Sequence, residues 1–313
     1  MSRAPMISVV APVYGCKNCL EALCDAVRAA FDETGLDWEL VLVDDRSPDD
    51  PWPLICDLAR IDQRVRGIRL SRNHGQHLAI WAGLAETRGD WVAVIDCDLQ
   101  DDPAVLPKLH EAALARQVEA LVVDRGKWSD SAFRRLASRA FYRLIDVLGG
   151  VHIDNVGNFG LYSRRMVDTL LLFREQEVFL PMMVALTGLK RQTYRMDRSD
   201  RVAGESSYSF FSLLRLATAI VIRFSDRPLK LSVIVGFAFS LISATISLLL
   251  VAAWLGGLFI VPGWTSTVLS VWFLSGLIMA TLGIHGFYIA RVFSEVKMRP
   301  RIIVETKTPR IEP

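Results

Sequence analysis

For sixty consecutive residues, from Leu231 to Ala290, the chain has no Asp, Glu, Lys or Arg. That absence excludes a solvated segment, and the stretch is too long for a core helix. It is about twice the ~20 residues that one membrane-crossing helix needs. Gly256-Gly257 and Pro262-Gly263 are turn signals that divide it. Two spans are expected, about 231–254 and 266–290, joined by an uncharged loop. Arg223, Arg227 and Lys230 precede the first, and Arg291, Lys297, Arg299 and Arg301 follow the second. By the positive-inside rule, both ends are expected in the cytoplasm. No secretory leader is read at the start, because Met6 to Val13 is too short and ends in Pro12-Val13-Tyr14, a strand and turn.

Cysteine is scarce: Cys16, Cys19, Cys24, Cys56 and Cys97. All lie in the expected cytoplasmic part, where thiols stay reduced. Cys16-x-x-Cys19 has no second Cys or His pair at metal spacing, which argues against a zinc site. No GxGxxG follows the first strand, which argues against a dinucleotide site. His74 and His77 lack an HExxH context, and His285 is expected to hydrogen-bond between membrane helices. The formal net charge of +2 excludes little.

What is present is an alternation of apolar strands and amphipathic helices. Strands are expected at Ile7–Val13, Trp38–Val43, Val65–Leu70 and Trp91–Ile95, and helices at Leu20–Phe31, Pro51–Ile61 and Gln76–Thr87. Continuous apolar strands separated by helices predict an α/β, Rossmann-like, mainly parallel sheet. Polar groups punctuate consecutive strand ends: Pro12-Val13-Tyr14, Asp44-Asp45, Arg72-Asn73-His74-Gly75 and Asp96-x-Asp98-x-Gln100. In such sheets these ends share one edge, where ligands bind. Acid pairs at two of the four ends fit a nucleotide with a metal ion, since oxygen ligands suit Mg²⁺ or Mn²⁺ shared with substrate phosphates. The simpler alternative for the last of them is an acidic turn capping the next helix. Asp101 and Asp102, before Pro103, read as the cap and first-turn acids of that helix.

Ser8-Val-Val-Ala-Pro-Val-Tyr14, Val41-Leu-Val-Asp-Asp-Arg-Ser-Pro-Asp49 and Asp96-Cys-Asp-Leu-Gln-Asp-Asp-Pro103 resemble the hallmarks of GT-A glycosyltransferases of family 2. Arg72-Asn-His-Gly-Gln-His-Leu-Ala-Ile-Trp-Ala-Gly83 and the stretch from Arg201 to Pro228 resemble, more narrowly, polyprenyl-phosphate glycosyltransferases of the dolichol-phosphate-mannose-synthase-like group. The resemblance implies a GT-A catalytic domain over 1–197 and an acceptor loop at the start of 198–228. The rest of that stretch, apolar from Phe210 to Phe224 with Arg215 and Arg223, fits an amphipathic interfacial helix, with a buried cytoplasmic helix as the alternative. A two-helix membrane domain over 229–292 follows, then a tail over 293–313 that pairs as a strand with a neighbouring subunit. It implies an integral protein of a bacterial inner membrane, a homo-oligomer with a tetramer favoured, and no nucleic-acid partner.

Residue by residue, the resemblance assigns Pro12, Tyr14, Asp44 and Asp45 to the base and ribose of a nucleotide-sugar, UDP preferred, with Arg72 and Gly75 in the same donor set. Asp96 faces the donor, and Asp98 and Gln100 ligate Mg²⁺ or Mn²⁺. A departing nucleotide diphosphate develops charge that a metal neutralises. The acceptor, undecaprenyl or dolichyl phosphate, is assigned to Arg125, Arg139, Arg201, Ser206 and Ser207, because arginine forks bond two phosphate oxygens. A solvated basic helix is the plain alternative for Arg125 to Arg143. Where relatives have Gly-Asp-Phe-Arg-Leu this chain has Gly157-Asn158-Phe159-Gly160-Leu161. Asn158 cannot act as a base, and Asp154 is the nearest carboxylate substitute. The implied reaction is inverting transfer of one sugar to the lipid phosphate. A processive polysaccharide synthase is the rival within enzymes, but Gln192-x-x-Arg195-Met196 lacks the tryptophan such enzymes carry. A catalytically silent membrane scaffold is the rival outside them, opposed by the intact Asp96, Asp98 and Gln100.

Overall fold

The first strand, β1 (Met6–Val13), is hydrogen-bonded in parallel on both sides, to β2 (Asp37–Asp44) and to β4 (Trp91–Val94). β2 in turn pairs in parallel with β3 (Val65–Leu70). This computed structural model describes residues 6–32, 34–124, 157–195, 227–256 and 263–309. The eight-stranded sheet has the order β7-β5-β6-β4-β1-β2-β3-β8, with β5 (Ala120–Asp124), β6 (Gly160–Ser163), β7 (Arg191–Arg195) and β8 (Val304–Lys307). β6 runs antiparallel to β4 and β5, and β8 antiparallel to β3; the other pairs are parallel. The expected mainly parallel α/β sheet is what forms, with each of the four expected strands within a residue or so of its sequence limits.

Seven of the eight residues of β1 are buried, as expected for a parallel strand covered on both faces. Ile7, Val9, Ala11 and Val13 share a core with α1 (Leu20–Asp32), α2 (Trp52–Ile61) and α4 (Val105–Arg116). The opposite face is covered by α3 (Gln76–Glu86), which touches β1 and β2, and by α5 (Arg164–Leu171), which touches β4; α6 (Leu180–Leu186) packs on α5. Ser163 caps α5 by accepting from Met166 N. At the N-terminal edge of the sheet, Ser8 Oγ donates to Glu39 Oε1 at 2.7 Å and accepts from Gly89 N at 2.8 Å. Arg66 and the Arg88 amide complete the shell of buried Glu39.

Three expectations change here. Asp102 Oδ1 accepts from Ala104 N, but α4 begins only at Val105 and has no side-chain cap. Asp102 therefore shapes the turn ahead of the helix, while Asp101 is buried before it, because Pro103 and Ala104 still belong to the turn. The C-terminal strand β8 pairs with β3 of its own chain, with Thr308 Oγ1 accepting from Gly67 N at 2.9 Å. The free edge of β3 offers unpaired backbone groups that a nearby strand satisfies. The segment from Arg299 onward thus belongs to the sheet domain, whereas α7 (Arg227–Leu255) and α8 (Trp264–Val296) form a second unit.

Both uncharged spans are helical. Among the described residues one segment, Ser270–Val296, is long and apolar enough to cross a membrane, where two were expected; the apolar described part of α7 is Leu229–Phe239. His285 Nδ1 lies 2.7 Å from Thr281 O, one turn back in its own helix. This local bond satisfies one ring nitrogen within the helix itself.

Gly83 sets how closely α3 lies on the sheet. A Cβ there overlaps Val10 Cγ1 and comes within 3.1 Å of Val43 Cγ2, both short β-branched side chains on fixed strands. Gly83→Ala is expected to lower the thermal unfolding midpoint of the detergent-solubilised protein. Overpacking costs about 1–3 kcal/mol, against the roughly 1 kcal/mol that Ala gains over Gly in a helix. A midpoint unchanged or raised would show that α3 lifts off the sheet at little cost.

Candidate active site

The cleft opens where β1 loses one of its two partners. Its ladder to β4 ends at Val10↔Val94, with Ile95 N donating to Val10 O, while the ladder to β2 continues to Val13↔Asp44 and Asp45 N→Val13 O. With the sheet order β3-β2-β1-β4, this parting is the topological switch point of the parallel strands. A cleft of about 540 Å³ lies there, lined by Pro12, Val13, Tyr14, Gly15, Cys16, Asp45, Asn73, Gly75, Gln76, Asp96, Cys97 and Asp98. All four polar strand ends contribute. Tyr14 is more than half exposed, leaving its ring face open to a ligand.

The two carboxylates after β2 divide the work. Asp45 lines the cleft and accepts from His74 N and Gly75 N, each at 2.7 Å, tying the end of β2 to the start of α3. Gly75 has φ +90, a conformation only glycine adopts readily, and this is what presents both amides to one carboxylate. Asp44, expected to bind the donor, does not line the cleft. It is wholly buried, accepts from Ser47 N at 2.9 Å and lies 3.2 Å from Arg69 Nε. Burial raises the pKa of both acids, and these hydrogen bonds oppose the shift. Ser47 Oγ accepts from Gly15 N and bonds Asp49, which accepts from Lys17 N. Asp44 therefore shapes the loop that backs the cleft wall. Arg72, also in the expected donor set, is exposed outside the cleft lining.

Across the cleft, Asp96 Oδ1 accepts from Gln76 Nε2 at 2.7 Å, a role for Gln76 that the sequence reading did not assign. Leu99 has φ +59, so the chain reverses after Asp98, and Gln100 N donates to Asp98 Oδ1 at 3.1 Å. Asp98 lines the cleft and Gln100 follows on the turn beside it. Among the described residues no group of three or more His, Cys, Asp or Glu could hold a metal ion alone. The exposed hard oxygens of Asp98 and Gln100 fit instead an ion that completes its shell with substrate phosphates and water.

The cysteine expectation is overturned. Cys16 and Cys97, 81 residues apart, form a disulfide across the cleft lining, with Cα atoms 6.4 Å apart, inside the usual bridging range. The bond staples the loop after β1 to the Asp96–Asp98 turn. Compartment arguments rest on average thiol poise, but proximity enforced by the fold raises the tendency of two thiols to pair. Cys19, Cys24 and Cys56 are free.

Neither His74 nor His77 joins a metal cluster among the described residues. His77 Nδ1 accepts weakly from Leu180 N, and its ring meets Phe179 edge-on at 4.9 Å. Burial pushes its pKa down to about 4. Asn158 is buried, and its Oδ1 has no hydrogen-bond partner among the described residues. Asp154, Arg125, Arg139, Arg201, Ser206 and Ser207 lie outside the described residues.

Two measurements follow. Under denaturing conditions, alkylation of air-purified protein without reductant is expected to mark three cysteines by mass, and five after reduction; five adducts from the start would remove the staple. For His77 the unfolded chain binds a proton near 6.5 and the folded chain only near 4. Its stabilising contribution is therefore complete above the unfolded pKa and is lost as pH falls. Between pH 7 and 5 the loss is about 2 kcal/mol, and His77→Gln, which keeps an acceptor but cannot titrate, is expected to flatten that part of the thermal-midpoint profile.

The sequence pattern of glycosyl transferase family 2 matches residues 8–171. The chain is 36% identical to the undecaprenyl-phosphate 4-deoxy-4-formamido-L-arabinose transferase of Pseudomonas aeruginosa, over 96% of this chain and 89% of that protein. The enzyme of that name from Aeromonas hydrophila is 32% identical, covering 96% and 93%. The uncharacterized glycosyltransferase YkcC of Bacillus subtilis is 30% identical, covering 97% and 95%. Among solved structures, glucosyl-3-phosphoglycerate synthase from Mycobacterium tuberculosis aligns with a TM-score of 0.48 at 18% identity, covering 70% of this chain and 78% of that one. With its switch-point cleft and its match through Leu171, the chain belongs to glycosyl transferase family 2.

Proposed function

We propose that the protein transfers one sugar from a nucleotide-sugar, UDP-linked by preference, to a polyprenyl phosphate, with inversion at the anomeric carbon. The observation that carries this reading is the convergence of Tyr14, Asp45, Asp96 and Asp98 on one cleft, in a chain that also holds an apolar helix of membrane-crossing length. Relatives similar over nearly their whole length carry undecaprenyl-phosphate sugar transferase names, which supports the acceptor class.

In this reading Tyr14 and Asp45 contact the base and ribose, and Asp96, held by Gln76, faces the donor sugar and diphosphate. Asp98 and Gln100 hold Mg²⁺ or Mn²⁺, which neutralises charge on the departing nucleotide diphosphate. An oxygen of the lipid phosphate attacks the anomeric carbon as the bond to the diphosphate breaks. Asn158 supplies no base, and none is required: a phosphate monoester, with a second pKa of about 6, is mostly ionised at pH 7. Arg125, Arg139, Arg201, Ser206 and Ser207 bind the acceptor phosphate, and Asp154 is the carboxylate nearest to Asn158 in sequence as a substitute base. In this reading both uncharged helices, α7 and α8, cross the membrane, so the arginines and lysines at their outer ends support a catalytic domain and both termini in the cytoplasm, and the bacterial relatives support an inner membrane.

Radiolabelled sugar transfer to undecaprenyl phosphate tests the reading. Wild type with Mn²⁺ is expected to give a single-sugar lipid product. Chelation abolishes it, added Mn²⁺ restores it, and Asp98→Ala lowers kcat by about 10²-fold or more, the scale of lost transition-state charge stabilisation. Equal transfer by Asp98→Ala would overturn the metal assignment. Polymer would indicate a processive synthase, and no transfer from any donor would indicate a scaffold.

A further inference from the structure

The segment after the last helix, Arg301 to Glu305, lies outside the cleft lining, yet it touches the back of two loops that form the cleft wall. Ile303 O accepts from Ser71 N at 2.9 Å, next to Arg301 and its two backbone-carbonyl bonds. The Ser71–Ile303 bond holds the start of the Ser71–Gly75 loop from outside, while Asp45 holds the same loop from the cleft through His74 N and Gly75 N. Arg301 is anchored in turn: its guanidinium donates to Glu175 O at 3.0 Å and Phe173 O at 2.9 Å, and it lies over the Trp81 ring of α3, 5.3 Å from the centroid.

Glu305 reaches the second loop. Its carboxylate pairs with Arg46, next to Asp45, and lies 3.9 Å from Arg69 Nε. Arg69 faces buried Asp44 at 3.2 Å and Asp50 at 3.1 Å. Arg46 and Asp50 both have left-handed backbones, φ +55 and +45, so the Asp44–Asp50 loop is held in a strained form by its contacts. An isolated surface ion pair contributes little, but here the pair closes a network that ends on a wholly buried carboxylate.

We propose that Arg301–Glu305 is a clasp for the donor cleft, with Arg301 and Glu305 as positioning residues for nucleotide binding. They act through the loops that carry Asp45, Asn73 and Gly75. The proposal rests on the donor reading given above. It predicts that losing either side chain weakens nucleotide binding without touching the reacting atoms.

The test is calorimetric binding of UDP with Mn²⁺ to the full-length protein in detergent, together with donor KM and kcat for Arg301→Ala, Arg301→Lys, Glu305→Gln and Glu305→Asp. The alanine and glutamine variants are expected to raise the UDP Kd and the donor KM about tenfold, within what a displaced binding group costs, with kcat at saturating donor within about twofold. Glu305→Asp restores most of the affinity. Arg301→Lys restores little, because an ammonium cannot bond both carbonyls as the fork does. Hydrogen exchange at the Ser71–Gly75 amides is expected to quicken in Arg301→Ala. Should Arg301→Ala fail to fold, Glu305→Gln carries the test, since it leaves every backbone bond of β8 in place. A fall in kcat and thermal midpoint with donor KM and UDP affinity unchanged overturns the clasp alone. Wild type that binds neither UDP nor GDP overturns the donor reading and the clasp with it.

Discussion

The double pairing of β1 is the constraint on which the site depends. A strand bonded on both sides and covered on both faces cannot shift register without moving an entire apolar set, so its exit at Val13 is rigid. The β4 ladder ends three residues before the β2 ladder does, and that difference in length is the cleft. Tyr14 and Asp45 leave from one side of the parting, Asp96 and Asp98 from the other. No loop has to find its place unaided.

The two edges of the sheet treat polar groups in opposite ways. At the N-terminal edge Ser8, Glu39, Arg66 and the amides of Arg88 and Gly89 satisfy one another, which is what a buried carboxylate requires. At the C-terminal edge the bonds run along the loops, Asp45 to His74 and Gly75, Ser47 to Gly15, Gln76 to Asp96, leaving Asp98 open at the cleft. The first pattern holds strands together. The second fixes the shape of a wall and leaves oxygen atoms for a ligand.

Backbone strain sits with function. Among the described residues five non-glycines have left-handed backbones, and three of them, Arg46, Asp50 and Leu99, lie in the loops at the cleft. Leu99 is the clearest: its conformation turns Gln100 back towards Asp98, so the motif becomes a tight corner instead of an extended run. Such strain persists only where neighbours over-determine it, and the loop networks and the Cys16–Cys97 bond do so here.

The sequence by itself determined the parallel α/β core, the helical character of both uncharged spans and the four polar strand ends, because these signals are local. Apolar runs, helical periodicity and strand-terminating carboxylates are written within ten residues of one another. Tertiary structure alone decided which carboxylate faces the cleft. Asp44 and Asp45 are adjacent and identical in sequence terms, and both are buried, but at the end of β2 only Asp45 comes to the cleft lining while Asp44 turns to the loop behind it. It also brought Cys16 to Cys97 over 81 residues, Gln76 to Asp96, and β8 to the free edge of β3. Such pairings depend on where β1 ends relative to β2 and β4, a property of the assembled sheet that no single stretch of sequence encodes.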